Sequence, residues 1–121
     1  MKKLALEIKQ VISPKDVKIT LIKSKNDEHK HISFEPKGKY GENAIKALEK
    51  RLKTRGIPSE IGKYTGSIWL SAVSHESYLK TLHPSQRERV EKQLSQKIKR
   101  SNLVRKLYGE LKKLKFKEKE I

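Results

Sequence analysis

The sequence predicts an α+β domain in which a small antiparallel sheet, a β-hairpin plus a third strand, packs against helices, with a basic helical arm at the C-terminus. Three observations carry this reading. Apolar residues alternate at Val17, Ile19 and Leu21 and again at Ile32 and Phe34, the period of a half-buried strand. Ala44, Ile45, Leu48 and Leu52 share one face of a helix. A helical run of apolar residues over 85–119 coincides with the strongest positive charge in the chain. At 121 residues one domain is expected, with 1–84 as an α+β core and 85–121 as a basic arm packed on it.

Taken in order, Leu4, Ile8, Val11 and Ile12 predict a short helix that Ser13-Pro14 ends. A strand over Val17, Ile19 and Leu21 follows. Lys25-Asn26-Asp27 supplies turn chemistry, and His31-Ile32-Ser33-Phe34 is the returning strand. The segment 36–41 reads as a loop with two glycines and two lysines. The helix after it carries Glu42 before Lys46 and Glu49 before Lys53, the favourable i, i+4 order, and stops at Gly56 ahead of Pro58. Tyr64, Thr65, Ile68 and Trp69 are strand formers within 63–73, and Trp69 between Ile68 and Leu70 is expected in the core. Ser74 opens a short helix to Leu82. Pro84-Ser85 with Glu88 then matches a capping box, and Val90, Leu94, Ile98, Val104, Leu107, Tyr108, Leu111 and Leu114 form the stripe of the arm. Ser101-Asn102 and Gly109 are expected to break or weaken that helix, and the basic C-terminus to fray.

Composition restricts the function classes. A formal charge of +16 sets up self-repulsion that a polyanion offsets, and nucleic acid is the commonest such partner. The absence of cysteine excludes a disulfide framework and thiolate metal sites, in keeping with a cytoplasmic protein. Glu7 and Lys9 interrupt the apolar N-terminal run before a secretory h-region forms, and no segment reaches the length of a membrane span, so no membrane insertion is expected. No Walker loop, zinc signature or Gly-x-Ser-x-Gly motif occurs, and no cofactor or metal is expected.

The candidate phosphate contacts are Arg87, Arg89, Lys97, Arg100, Arg105, Lys106 and Lys112 on the arm, with Lys37 and Lys39 in the loop before the central helix. Tyr40 beside Lys39 and Tyr64 beside Lys63 interleave rings with cations, a pattern suited to unpaired bases. A second set, His31, Glu35 and His75 with Glu76, holds the groups a metal-independent ribonuclease or toxin would use to deprotonate a 2′-hydroxyl and protonate a leaving oxygen. A third reading docks the stripe Val90, Leu94, Ile98 and Leu111 on another protein.

Three local patterns resemble known families. Gly38-Lys39-Tyr40-Gly41 has the spacing of the Gly-x-x-Gly clamp of KH domains, which implies a grip on nucleic-acid backbone. There the loop joins two helices, whereas here it joins a strand to a helix, the place of an ordinary turn. His29-Lys30-His31 is similar to the His-hydrophobic-His motif of HUH nucleases, but Lys30 sets a cation beside the implied metal. Tyr64-Thr65-Gly66-Ser67, Leu70 and His83-Pro84-Ser85-Gln86-Arg87 resemble a short part of the ProQ/FinO family of RNA chaperones. The hairpin that family places between those segments has no room here, and the chain is not assigned to it. The function expected is non-catalytic binding of nucleic acid, RNA ahead of DNA.

Overall fold

The structure, a computed structural model, describes residues 1–25 and 28–121, with the side chain of Ser77 outside the description. Its elements are α1 (Lys2–Val11), β1 (Val17–Lys23), β2 (Lys30–Pro36), α2 (Gly38–Thr54), β3 (Ile68–Ala72), α3 (Glu76–Lys80), α4 (Pro84–Lys113) and β4 (Glu118–Glu120). The class is α+β, as the sequence predicts, with one more strand than expected. The turn read at Lys25-Asn26-Asp27 falls mainly on Asn26 and Asp27, outside the described residues.

The sheet runs in the order β3-β2-β1-β4. β1 with β2 and β2 with β3 are antiparallel, while β4 lies parallel to β1, so the sheet is mixed rather than purely antiparallel. Cross-strand register puts Ile19 opposite Phe34, Leu21 opposite Ile32, Ile32 opposite Leu70 and Phe34 opposite Ile68. Strand side chains alternate between faces. One face therefore presents Val17, Leu21, Ile32, Phe34, Ile68, Leu70 and Ala72, all buried.

The helices supply the other half of that core. α2 contributes Ile45, Leu48 and Leu52 and packs on β2. The second half of α4 contributes Val104, Leu107, Tyr108 and Leu111 and packs on β3 and β2, and α1 joins it with Leu4, Ala5 and Ile8. Val11, expected on the apolar face of α1, is exposed; Ile12, one residue past the helix, is buried instead. Glu7 ties α1 to α2 by accepting from Arg51 at 3.2 Å and Arg55 at 3.0 Å.

Several boundaries differ from the sequence reading, each for a local reason. Gly38 to Gly41 are the first turn of α2 rather than a loop, because Lys37 N–H donates to the Asp16 carbonyl at 2.6 Å and turns the chain straight into the helix. Gly41 is required by close approach: a Cβ there would stand 2.2 Å from the Asp16 carbonyl oxygen. Gly56 adopts φ +83 just past the end of α2, the left-handed stop its position predicts. Tyr64 and Thr65 lie in a turn ahead of β3, closed by Gly66 N–H donating to the Gly62 carbonyl, so the strand is shorter than 63–73. α3 is likewise shorter than 74–82.

α4 is one helix across Ser101-Asn102 and Gly109, since burial of its lower stripe outweighs the propensity lost at those residues. It begins at Pro84, capped by the His83 ring, which accepts from Ser85 N–H at 3.4 Å, in place of the Ser85 capping box. Nor does the chain fray after it. Lys115 turns at φ 66, and β4 then pairs with β1, Leu21 opposite Glu118. Tyr108 hydroxyl donates to Glu118 Oε2 at 2.7 Å, with Lys112 and Lys23 at 3.6 and 3.8 Å from Oε1.

Two stability predictions follow from these contacts. Gly41→Ala forces backbone apart and is expected to destabilise by about 1–3 kcal/mol in urea denaturation; an unchanged midpoint would show that the Asp16 loop is not held against α2. The Tyr108 hydrogen bond, ahead of the lysines, holds the Glu118 carboxyl below its ordinary pKa. A carboxylate depressed in the folded state stabilises above its unfolded pKa and loses that contribution as pH falls through the folded one. Tyr108→Phe is therefore expected to lose about 1–2 kcal/mol at neutral pH, with the deficit shrinking as the carboxyl is protonated. A deficit constant from neutral to strongly acidic pH would rule the linkage out.

Candidate nucleic-acid interface

α4 has 30 residues, so it is roughly 45 Å long at 1.5 Å per residue, longer than the sheet it covers. Its two halves have different environments. From Ser101 onward every third or fourth residue is buried, whereas no residue of 84–100 is buried. The stripe Val104, Leu107, Leu111 continues upward, at the same helical spacing, as Arg100, Gln96 with Lys97, Gln93 and Arg89. One face of one helix is thus apolar where it meets the sheet and, with Val90 as the exception, cationic or amide-bearing where it runs beyond.

That upper stripe borders the turn after α2. Gly56, Pro58, Gln96, Lys97, Arg100 and Leu103 are among the residues lining a shallow groove of about 360 Å³. Arg100 Nε donates to the Pro58 carbonyl at 3.3 Å, which fixes the guanidinium at the groove's edge. The helix's own carboxylates lie elsewhere: Glu91 and Glu88 sit on the far side, where Glu91 accepts from Arg87 Nε at 2.8 Å and Glu88 lies 3.9 Å from Lys92. Between Glu91 and Glu110 the helix carries Lys92, Lys97, Lys99, Arg100, Arg105 and Lys106 and no acid.

The structure separates the expected contact residues into distinct places. Arg89, Lys97 and Arg100 share the upper stripe. Arg87 faces α3 and is engaged by Glu91 and by Glu76 at 3.7 Å. Arg105 donates to the Glu28 carbonyl and lines a cleft of about 320 Å³ between α3 and α4. Lys106 is exposed lower on α4, and Lys112 approaches Glu118. Lys37, Lys39 and Tyr40 stand at the start of α2, with Lys63 and Tyr64 in the turn beside it. α2, of 17 residues, puts them roughly 25 Å from the groove at its other end. Tyr40 and Tyr64 are 80% and 93% exposed, and Lys63 Nζ lies 5.8 Å from the Tyr64 ring centre.

The nuclease set is not drawn together. His31 and Glu35 share the sheet face opposite the helices but stand four residues apart along β2, roughly 13 Å. His75 lines the α3–α4 cleft. No hydrogen bond or ion pair joins the three among the described residues. His31 Nδ1 bonds Ser71 Oγ at 3.0 Å, and burial, with a smaller contribution from His29, keeps its pKa below the ordinary histidine value. Among the described residues no group of three or more acidic or histidine side chains is placed to hold a metal. Nor is the proposed protein-docking stripe presented as a unit, because Leu111 is in the core and Ile98 lines the cleft.

Trp69, a ring that can stack on a base but is expected in the core, lies elsewhere. It is 53% exposed on the uncovered sheet face, not in the core, with its ring centre 5.1 Å from that of His31. Strand alternation was the available signal: if Ile68 and Leu70 point inward, Trp69 must point outward. No helix among the described residues is long and apolar enough to cross a membrane. The chain matches no family model, no curated protein and no solved structure, so these side chains alone carry the functional reading.

Proposed function

We propose that this protein binds nucleic acid without catalysing its reaction, RNA ahead of DNA, through phosphate contacts made by α4. The observation that carries this reading is the acid-free cationic stretch of α4 between Glu91 and Glu110, whose upper stripe is not covered by the body. Lys and Arg there meet phosphate oxygens, and Arg100, already oriented by Pro58, offers its remaining guanidinium donors. Gln93 and Gln96 add neutral donors between the charges. Contacts of this kind fix position along a strand and carry no base information. The exposed rings of Tyr40 and Tyr64 favour unpaired strands, hence RNA, where a long ligand reaches them.

Two measurements test the reading. If about 5 phosphates are neutralised, log affinity falls against log salt with slope near −3.5 to −4.5 in filter binding. Reversing charge at Arg89, Lys97 and Arg100 together lowers that slope by about 2–3, while Lys3→Glu on α1 leaves it within error; a flat salt dependence would end the proposal. Gln93→Glu and Gln96→Glu give effects of opposite sign. Each sets a carboxylate four residues before a cation and is expected to stabilise α4 by about 0.3–0.5 kcal/mol, yet to weaken nucleic-acid binding. Unchanged affinity in the double variant would place the ligand elsewhere.

A further inference from the structure

The face of the sheet turned away from the helices has features that the phosphate-binding reading does not use. By register it presents Lys18, Thr20 and Ile22 from β1, His31, Ser33 and Glu35 from β2, Trp69 and Ser71 from β3, and Lys119 from β4. Its centre is made of small hydroxyl side chains, and Ser33, opposite Trp69, is only 4% exposed, so the floor beside the indole is flat. The Trp69 and His31 rings stand 5.1 Å apart and are tilted by 31°, so the imidazole packs against one part of the indole and makes a ledge with the part left exposed. Ser71 holds the imidazole in that position through Nδ1. Its depressed pKa leaves it uncharged at neutral pH, where it stacks as a ring rather than repelling the nearby lysines.

We infer that the Trp69–His31 ledge is a stacking site for an unpaired base of a single-stranded nucleic acid. This rests on the nucleic-acid reading above and extends it, naming single strands as the ligand and a second place on the molecule where they are held. The charges around the ledge suit that occupant. Lys119 stands beside Ile22 on the β4 side, roughly 14 Å from Trp69 across three strand spacings, where the backbone of a strand whose base lies on Trp69 can run, and Lys18 stands directly opposite Glu35, the carboxylate this face presents by register. A protein partner would find little to bury, since Ile22, Trp69 and the half-exposed Val73 are separated by hydroxyls, far short of the apolar centre of a stable interface. A base needs only one ring face and a few polar edges. Thr20 and Ser71 provide hydroxyls for its edge, and every base has a π-face to lay on the indole.

Trp69 is the sole tryptophan of the chain, so its emission reports on this site directly. Titrating the protein with oligouridine is expected to quench that emission, and a blunt RNA duplex to bind through α4 without quenching it. Trp69→Ala should lose about 5- to 150-fold in oligouridine affinity, the range of one stacked base, with duplex affinity unchanged. Trp69→Phe should restore most of the loss. The α4 charge-reversal variant should still show quenching at low salt, with weaker affinity. Duplex binding with no quenching by oligouridine would overturn the ledge and leave the α4 proposal standing. No binding to either ligand would overturn both. Emission that shifts with protein concentration alone would overturn the ledge too, assigning the face to a second copy of the chain.

Discussion

Burial of Val104, Leu107, Tyr108 and Leu111 against the inner face of the sheet is the contact from which the rest of the molecule takes its geometry. It locks the lower half of a long helix, and a helix is stiff over such a length, so the direction of the upper half is fixed as well. The same contact places the Tyr108 hydroxyl where Glu118 must come to meet it, which brings β4 to the edge of β1. It also commits the sheet to a single covered face. Most of what β1, β2 and β3 point the other way is left at least partly to solvent, and that includes the one tryptophan.

The distribution of charge follows from this division. A net charge of +16 on 121 residues cannot be buried, so the cations occupy what the core leaves free. Two carboxylates join elements of the body: Glu7 links α1 to α2, and Glu118 links β4 to α4. The upper part of α4 has Glu88 and Glu91 on one side only, facing Lys92 and Arg87. The opposite side carries Arg89, Lys97 and Arg100 with no carboxylate of α4 between Glu91 and Glu110. A polyanion lying there relieves repulsion that the folded chain otherwise retains.

Much of this architecture was legible in the residues. The alternation of Val17, Ile19 and Leu21 and the helical spacing of Ile45, Leu48 and Leu52 identify their elements because burial on one face is what those patterns record. β4 was not legible: Glu118 to Glu120 contain no apolar residue, and the strand exists because Tyr108 and Lys112, far from it in environment but near in space, hold Glu118. The start of α2 is hidden in the sequence because its glycines look like a loop, whereas Gly41 serves the approach of the Asp16 backbone. Of the candidate site, the cations of α4 could be named but not grouped. Helical spacing puts Arg89, Lys97 and Arg100 on one stripe, yet only the fold reveals that Arg87 and Arg105 are turned to partners of their own. Trp69 is within reach of the same alternation rule that identifies the strand, because its parity is opposite to that of Ile68 and Leu70.

The identity of the uncharged residues on the upper stripe bears on why the stripe exists. Gln93 stands four residues before Lys97, and Gln96 four before Arg100. A glutamate at either position would form an ion pair in the favourable orientation and would be as good a helix former as glutamine. The helix therefore forgoes stabilisation at the two positions where it is most easily had, in a segment that receives no support from the core beneath it. Elsewhere the chain shows no such reluctance, since Glu91 follows Arg87 at the same interval and Glu88 precedes Lys92. Local stability does not account for a carboxylate-free stripe bordered by paired charges. On the proposed reading a ligand's own negative charge completes those pairs, and any internal partner would have to be displaced before it could bind.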